Sequence, residues 1–173
     1  MKAYIFHGST PHATADKFWY SWLAQQLNAR SIKAKVIDLP RLSRQTLEET
    51  LDEIRLMNLV IDSETIFIGH SAGANLLLTL LENVKTPISK SLFIAGFSKP
   101  TTTKEPTLKE IYAFERIKAN CKDFIFVNSF NDPFGCGFEQ GKALFDQLGG
   151  TMLADNGKHY TKKEYPLFLK LVL

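Results

Sequence analysis

Residues 65–73 read Thr-Ile-Phe-Ile-Gly-His-Ser-Ala-Gly, and few folds accommodate them. A β-branched and aromatic run stops at Gly69, and an apolar helical run starts at Ala72. Between them lies Gly-x-Ser-x-Gly. On a strand-to-helix turn this pattern lifts the Ser71 hydroxyl onto a sharp corner, exposed for attack. Strand and helix nearly touch at such a corner, so the positions two residues either side of the serine must be small. Gly69 and Gly73 meet that demand, and Ala72 is small too. The pentapeptide alone occurs by chance. Bounded by a strand and a helix, it points to a nucleophilic serine.

The rest of the chain continues the same rhythm. Strand-like runs are expected at Lys2 to Phe6, Ala34 to Asp38, Thr65 to Ile68, Ser91 to Ala95, Phe124 to Asn128 and, weakly, Thr151 to Ala154. Helices are expected over Ala15 to Asn28, Thr46 to Ile61, Ala72 to Glu82, Tyr112 to Asn120, Gly137 to Leu148 and Lys163 to Leu171. This alternation predicts an α/β fold, a three-layer α/β/α arrangement with a mainly parallel sheet of about six strands. The 173 residues suit one domain, 1–173. The helix after Ser71 carries Leu76, Leu77, Leu78, Leu80 and Leu81, apolar on nearly every side, and is expected under the sheet. Phe97 to Ile111 breaks the pattern with Lys99-Pro100, three threonines and Glu105-Pro106. It reads equally well as a partial cap over a site and as a plain surface connection.

Charge and cysteine content narrow the function. A net charge of +3, with Lys162-Lys163 the only adjacent basic pair, argues against nucleic-acid binding; a solvated helix end explains the pair. Cys121 and Cys136 make no disulfide framework and show no metal-ligand spacing, so both read as free thiols. The apolar start, Ala3 to Phe6, is too short for a signal-peptide core, and no stretch approaches membrane-spanning length. A cytoplasmic protein is expected.

A serine hydroxyl needs a base to take its proton, usually a histidine oriented by a carboxylate. Four histidines are available. His70 adjoins Ser71, where its side chain should point away from the serine. His7 follows the first strand and His12 lies in the next loop. His159 follows the last strand, on a loop at the carboxyl edge of a parallel sheet, the edge that Ser71 also occupies. Asp132, directly after the Phe124 to Asn128 strand and stiffened by Pro133, reaches that edge as the acid; turn capping is its competing role. Asp155 is the rival acid. The oxyanion of a tetrahedral intermediate needs two N–H donors. Ala72 supplies one, and the loop His7-Gly8-Ser9-Thr10 the other, with Ser9 ahead of Thr10. His7 would then brace that loop. Phe18, Trp19, Tyr20 and Trp22 read as core packing more readily than as substrate stacking. A serine elbow also persists in proteins that only bind, so a non-catalytic binding or regulatory protein, and an acyltransferase using the same serine, stand as alternatives.

Together these residues resemble the α/β-hydrolase fold. More closely, the chain resembles the small serine hydrolases related to retinoblastoma-binding protein 9. The likeness includes the first-strand loop, Phe18 to Trp22, Leu39-Pro40, Gly69 to Gly73, Phe114 to Cys121, Asp132-Pro133-Phe134 and His159. It implies Ser71 as nucleophile, Asp132 as acid and His159 as base. It also implies small-molecule ester substrates, amide or aminopeptidase-like activity in some members, and no metal or organic cofactor. A protein partner is not readable. Two departures stand out. Gly135-Cys136-Gly137 replaces a further proline after Asp-Pro, and Lys158 replaces a glycine before the histidine.

Overall fold

The computed structural model describes residues 1–9 and 14–173. Among these described residues six strands form one sheet: β1 (Lys2–Phe6), β2 (Lys33–Ile37), β3 (Thr65–His70), β4 (Lys90–Ile94), β5 (Phe124–Ser129) and β6 (Thr151–Asp155). Every neighbouring pair is parallel, in the order β2-β1-β3-β4-β5-β6. The described helices connect and close them: α1 (Tyr20–Asn28), α2 (Leu47–Leu56), α3 (Ala72–Asn83), α4 (Phe114–Ala119), α5 (Phe138–Leu148) and α6 (Pro166–Val172). The chain runs outward from β1 to β2 and then crosses back to β3. The carboxyl ends of β1 and β3 therefore flank the point where the strand order reverses, the usual place for a ligand crevice in such sheets.

The strand sequences divide the core into two chemically different layers. In β1, β3, β4 and β5 one alternation gives Ala3, Ile5, Ile66, Ile68, Leu92, Ile94, Ile125 and Val127. These pack under α1 and α6 through Leu23, Leu27, Phe168 and Val172. The other alternation gives Tyr4, Phe6, Phe67, Phe93, Phe124 and Phe126, covered by α2, α3, α4 and α5. Side chains on a strand alternate faces, so a sequence such as Phe-Ile-Phe-Val fixes both layers at once. The aromatic layer interlocks: Phe6 meets Phe67 edge-on with ring centroids 5.7 Å apart, and Phe93 tilts against Phe126 at 5.2 Å. The α3 leucines 76, 77, 78 and 81 are fully buried, as their all-round apolar pattern requires.

The element ends depart from expectation for local reasons. The first helix begins at Tyr20, not Ala15, because Phe18 takes a left-handed φ of 54° that no helix continues through. The second ends at Leu56, well short of Ile61, with Asn58 at φ 48° just beyond. The last begins only at Pro166, where a missing N–H costs nothing at the first helical position. The fourth is shorter at both ends, and the weak sixth strand is a true edge strand. Among the described residues, no helix is long and apolar enough to cross a membrane.

Gly73 sets how closely α3 approaches β1. A Cβ there would stand 2.3 Å from the Phe6 carbonyl oxygen and 2.5 Å from that of His7, both backbone atoms that cannot swing away. Alanine is the better helix former by about 1 kcal/mol. We nevertheless expect Gly73→Ala to destabilise the fold by about 2 kcal/mol or more, because overpacking at backbone outweighs propensity. A fall in Tm of about 4–8 °C in a thermal melt checks this; an unchanged or higher Tm contradicts it.

Candidate active site

Ser71 leaves β3 and opens α3 with φ 54° and ψ −121°, a conformation that L side chains rarely adopt. Such strain, of order 1–3 kcal/mol, persists only where its surroundings enforce it. Here the Ser71 N–H donates to the Ile94 carbonyl at 2.9 Å, tying the corner to β4. The Gly8 backbone lies against the corner: a Cβ on Gly8 would come within 3.2 Å of Ser71 Cβ. Ala72 is the first residue of α3, so its N–H has no acceptor one turn back in the helix. Ser9 lines the same cavity as Ser71, and its hydroxyl donates to Glu105 at 3.0 Å.

The loops after β5 and β6 meet beside this corner. Asp132 Oδ2 lies 2.7 Å from His159 Nδ1, with the carboxylate side chain fully buried. Its Oδ1 accepts from the backbone N–H groups of Phe134 and Cys136 at 2.8 and 3.2 Å. Burial pushes the Asp132 carboxyl upward, but the His159 hydrogen bond and charge and the two amides outweigh it. The group rests below the ordinary carboxylate range. Asp155, the rival, is engaged elsewhere. Its Oδ1 accepts from the Tyr160 hydroxyl at 2.8 Å and from the Gly157 N–H at 2.7 Å. It shapes the turn that carries His159. Lys158 and Tyr160 flank His159 at φ 55° and 51°. Lys158 thus takes the left-handed conformation that favours glycine, and its N–H is held by Asn131 Oδ1 at 3.0 Å.

Two buried histidines lock these loops together. The Gly8 N–H donates to the Tyr20 hydroxyl at 3.1 Å, and that hydroxyl lies 2.6 Å from His70 Nδ1. His70 Nε2 lies 2.8 Å from the His159 carbonyl oxygen, which can only accept. The network therefore assigns the proton of His70 to Nε2, with Nδ1 accepting from Tyr20. His7 does the same for the other side of Gly8. Its Nε2 accepts from the Leu39 N–H at 2.8 Å, so Nδ1 donates to the Gly8 carbonyl at 2.9 Å. His70 turns from the serine, but it has a positioning role that the sequence did not disclose. Tyr20 was expected only to pack; a tyrosine rather than a phenylalanine in that cluster was the one available signal. Trp19 likewise adds a polar handle, its Nε1–H donating to the Tyr160 carbonyl at 3.0 Å.

The cavity over Ser71 encloses about 420 Å³. Phe18 and Phe134 form apolar walls, so Phe18 belongs to the pocket and not to the core proper. The Phe134 ring stands edge-on to the His159 imidazole at 4.7 Å. Thr103, Lys104 and Glu105 close one side, which makes part of the Phe97 to Ile111 segment a cap. Buried Asn75 on α3 anchors that segment, donating to the Phe97 carbonyl at 3.2 Å and accepting from Thr107 at 3.3 Å. Burial raises the Glu105 carboxyl, opposed by hydrogen bonds from Thr103 and Ser9. Thr10 and His12 lie outside the described residues.

A family model described as serine hydrolase matches residues 3–162. The chain belongs to the serine hydrolase family. It is 26% identical to the serine hydrolase RBBP9 of Rattus norvegicus over 178 residues, covering 99% of this chain and 93% of that protein. It is also 26% identical to YdeN of Bacillus subtilis (strain 168) over 173 residues, covering 90% and 88%. The crystal structure of the B. subtilis ydeN gene product superimposes with a TM-score of 0.87 at 22% identity, covering 99% of this chain and 96% of that one. Alpha/beta hydrolase domain-containing protein 10 from mouse gives 0.71 at 12%, covering 98% and 87%, a likeness of fold. This serine hydrolase is thus an RBBP9-like member with the compact three-layer α/β-hydrolase architecture.

The buried histidines make the fold of this serine hydrolase acid-sensitive above the carboxylate range. Burial, then the His159 charge, lowers the His70 pKa to about 3, and burial lowers that of His7. An unfolded histidine takes up its proton near pH 6.5. Below that pH the unfolded chain binds protons that the folded one refuses, so stability falls with falling pH. For His70 alone the loss at pH 5 relative to pH 8 is about 2 kcal/mol. Urea unfolding at the two pH values should show it, and His70→Gln should flatten the dependence. Equal midpoints at pH 8 and pH 5 in the wild type contradict this account.

Proposed function

We propose that this serine hydrolase cleaves small carboxylic esters through a Ser71–His159–Asp132 triad and an acyl-enzyme. The observation that carries the reading is the buried 2.7 Å contact between Asp132 and His159, on a cavity that also contains the strained Ser71. Asp132 engages Nδ1, so Nε2 is the nitrogen left to work on the serine side. In the first half-reaction His159 takes the Ser71 proton as Oγ attacks the ester carbonyl. The Ala72 and Ser9 amides hold the oxyanion, and His159 returns the proton to the departing alcohol. Water then attacks the acyl-enzyme by the same route. Asp132 fixes the imidazole tautomer and stabilises the imidazolium.

The apolar walls at Phe18 and Phe134 suit a short acyl or aromatic group, and amides of similar size extend the same chemistry. The whole chain, 1–173, acts as one domain. Two free buried thiols, Cys121 and Cys136, suit a reducing cytoplasm.

A fluorophosphonate probe should label the wild type and not Ser71→Ala. Turnover of p-nitrophenyl esters should fall by about 10⁴ to 10⁶ in kcat for Ser71→Ala and for His159→Ala, and by about 10³ to 10⁴ for Asp132→Asn. Undiminished labelling or turnover in Ser71→Ala rejects the nucleophile. An inert wild type, with a partner recovered instead, favours the binding alternative. Added alcohol that diverts the acyl group from water indicates acyl transfer.

A further inference from the structure

Cys136 has no role in the chemistry above, yet it sits at its centre. It lies in the turn four residues after Asp132 and is 2% exposed. Its Sγ, a carboxylate oxygen of Asp132 and a ring nitrogen of His159 all lie within 4.8 Å of one another. Among the described residues this is the one such grouping of three His, Cys, Asp or Glu side chains. Sequence spacing gave no hint of it, because the histidine arrives from a different strand end.

A thiolate, an imidazole and a carboxylate form a donor set typical of zinc. Bonds of about 2.0–2.3 Å place two donors on a tetrahedral ion roughly 3.3–3.8 Å apart. No donor pair therefore needs to close by more than about 1.5 Å, and the Asp132–His159 pair, 2.7 Å apart, opens by about 1 Å if Nδ1 is the ligand, both within the reach of side-chain rotations. The carboxylate is already oriented by the Phe134 and Cys136 amides, the kind of outer support that metal ligands use. His159 lines the cavity that also contains Ser71, so one of the three donors borders open space.

We propose that Cys136, His159 and Asp132 form an inhibitory zinc site. Binding sends the thiol proton to solvent and places the sulfur on the metal. Coordination through His159 Nδ1 breaks the hydrogen bond to Asp132. Coordination through Nε2 occupies the lone pair that takes the Ser71 proton. Either geometry removes the base, so the ion switches the enzyme off and a chelator restores it. The inhibition rests on the triad reading; the binding of metal does not.

The purified full-length enzyme, freed of metal with a chelator, is titrated with Co²⁺ and with Zn²⁺. One equivalent of Co²⁺ should bind with a thiolate-to-cobalt charge-transfer band, which Zn²⁺ displaces and which Cys136→Ala lacks. In parallel, zinc should inhibit p-nitrophenyl ester turnover reversibly. Cys136→Ala and Cys136→Ser should need about tenfold more zinc or higher for half-inhibition, each against its own metal-free rate. Absence of the charge-transfer band in the wild type overturns the site. So does equal zinc sensitivity of wild type and both variants. A metal-free wild type that turns over no ester defeats the triad reading, and the cobalt titration still decides the site.

Discussion

The loop after β1 is held by two neutral histidines, and the geometry of the site follows from that. Gly8 gives its N–H to Tyr20 and its carbonyl to His7, so both polar groups of one residue are tied into the interior. An imidazole can donate at one nitrogen and accept at the other only while it is uncharged. Burial enforces this by making the charged form costly, and the depressed pKa values of His7 and His70 express it. The relay through Tyr20 and His70 ends on the His159 carbonyl. One chain of hydrogen bonds thus spans the β1 loop, the end of β3 and the loop after β6. Leaving any of these buried groups unpaired would cost about 1–3 kcal/mol.

Backbone strain gathers at the same rim. Ser71, Ala95, Lys158 and Tyr160 have positive φ, and each is secured by its own N–H. Ser71 donates to Ile94, Ala95 to Val127, Lys158 to Asn131 and Tyr160 to Gly157. The sheet supplies rigid carboxyl ends, and short bonds from those ends hold conformations that an isolated loop would abandon. Lys158 shows that the fold needs the left-handed conformation more than it needs glycine. Its side chain points no clash inward, because the turn is already shaped by Asp155 on one side and Asn131 on the other.

Strand alternation and the Gly-x-Ser-x-Gly corner were enough to read the parallel sheet, the three-layer arrangement and the elbow. Each depends on residues close together in sequence, where period and sterics act directly. The ends of helices were not legible in the same way. Phe18 bounds a helix by a left-handed φ that its chemistry does not announce, whereas Asn58 is of a residue type that tolerates that conformation just past a helix end. The polar network was least legible of all. Tyr20, His70 and the His159 carbonyl are brought together only by folding, and so are Cys136 and His159. Asp132 was preferred to Asp155 from sequence, although both follow a strand and precede the histidine. The structure separates them by what they accept: Asp155 the Tyr160 hydroxyl, Asp132 the imidazole.

That division also bears on charge. Two carboxylates stand near His159 in contrasting surroundings, Glu105 on the cavity wall and Asp132 buried behind the imidazole. Asp132 gathers one imidazole and two amides and is held low, so it stays charged across the working pH range. Glu105 is raised by burial and receives only hydroxyl donors, from Ser9 and Thr103. Along the proposed pathway His159 becomes positive between them. Asp132 stabilises that charge through direct contact, while the more distant Glu105 acts through a cavity whose phenylalanine walls weaken solvent screening. A negative wall favours the imidazolium but opposes the oxyanion beside Ser9. The hydroxyl of Ser9 turns to Glu105, so in the proposed mechanism it is the amide of the same residue that meets the substrate oxygen.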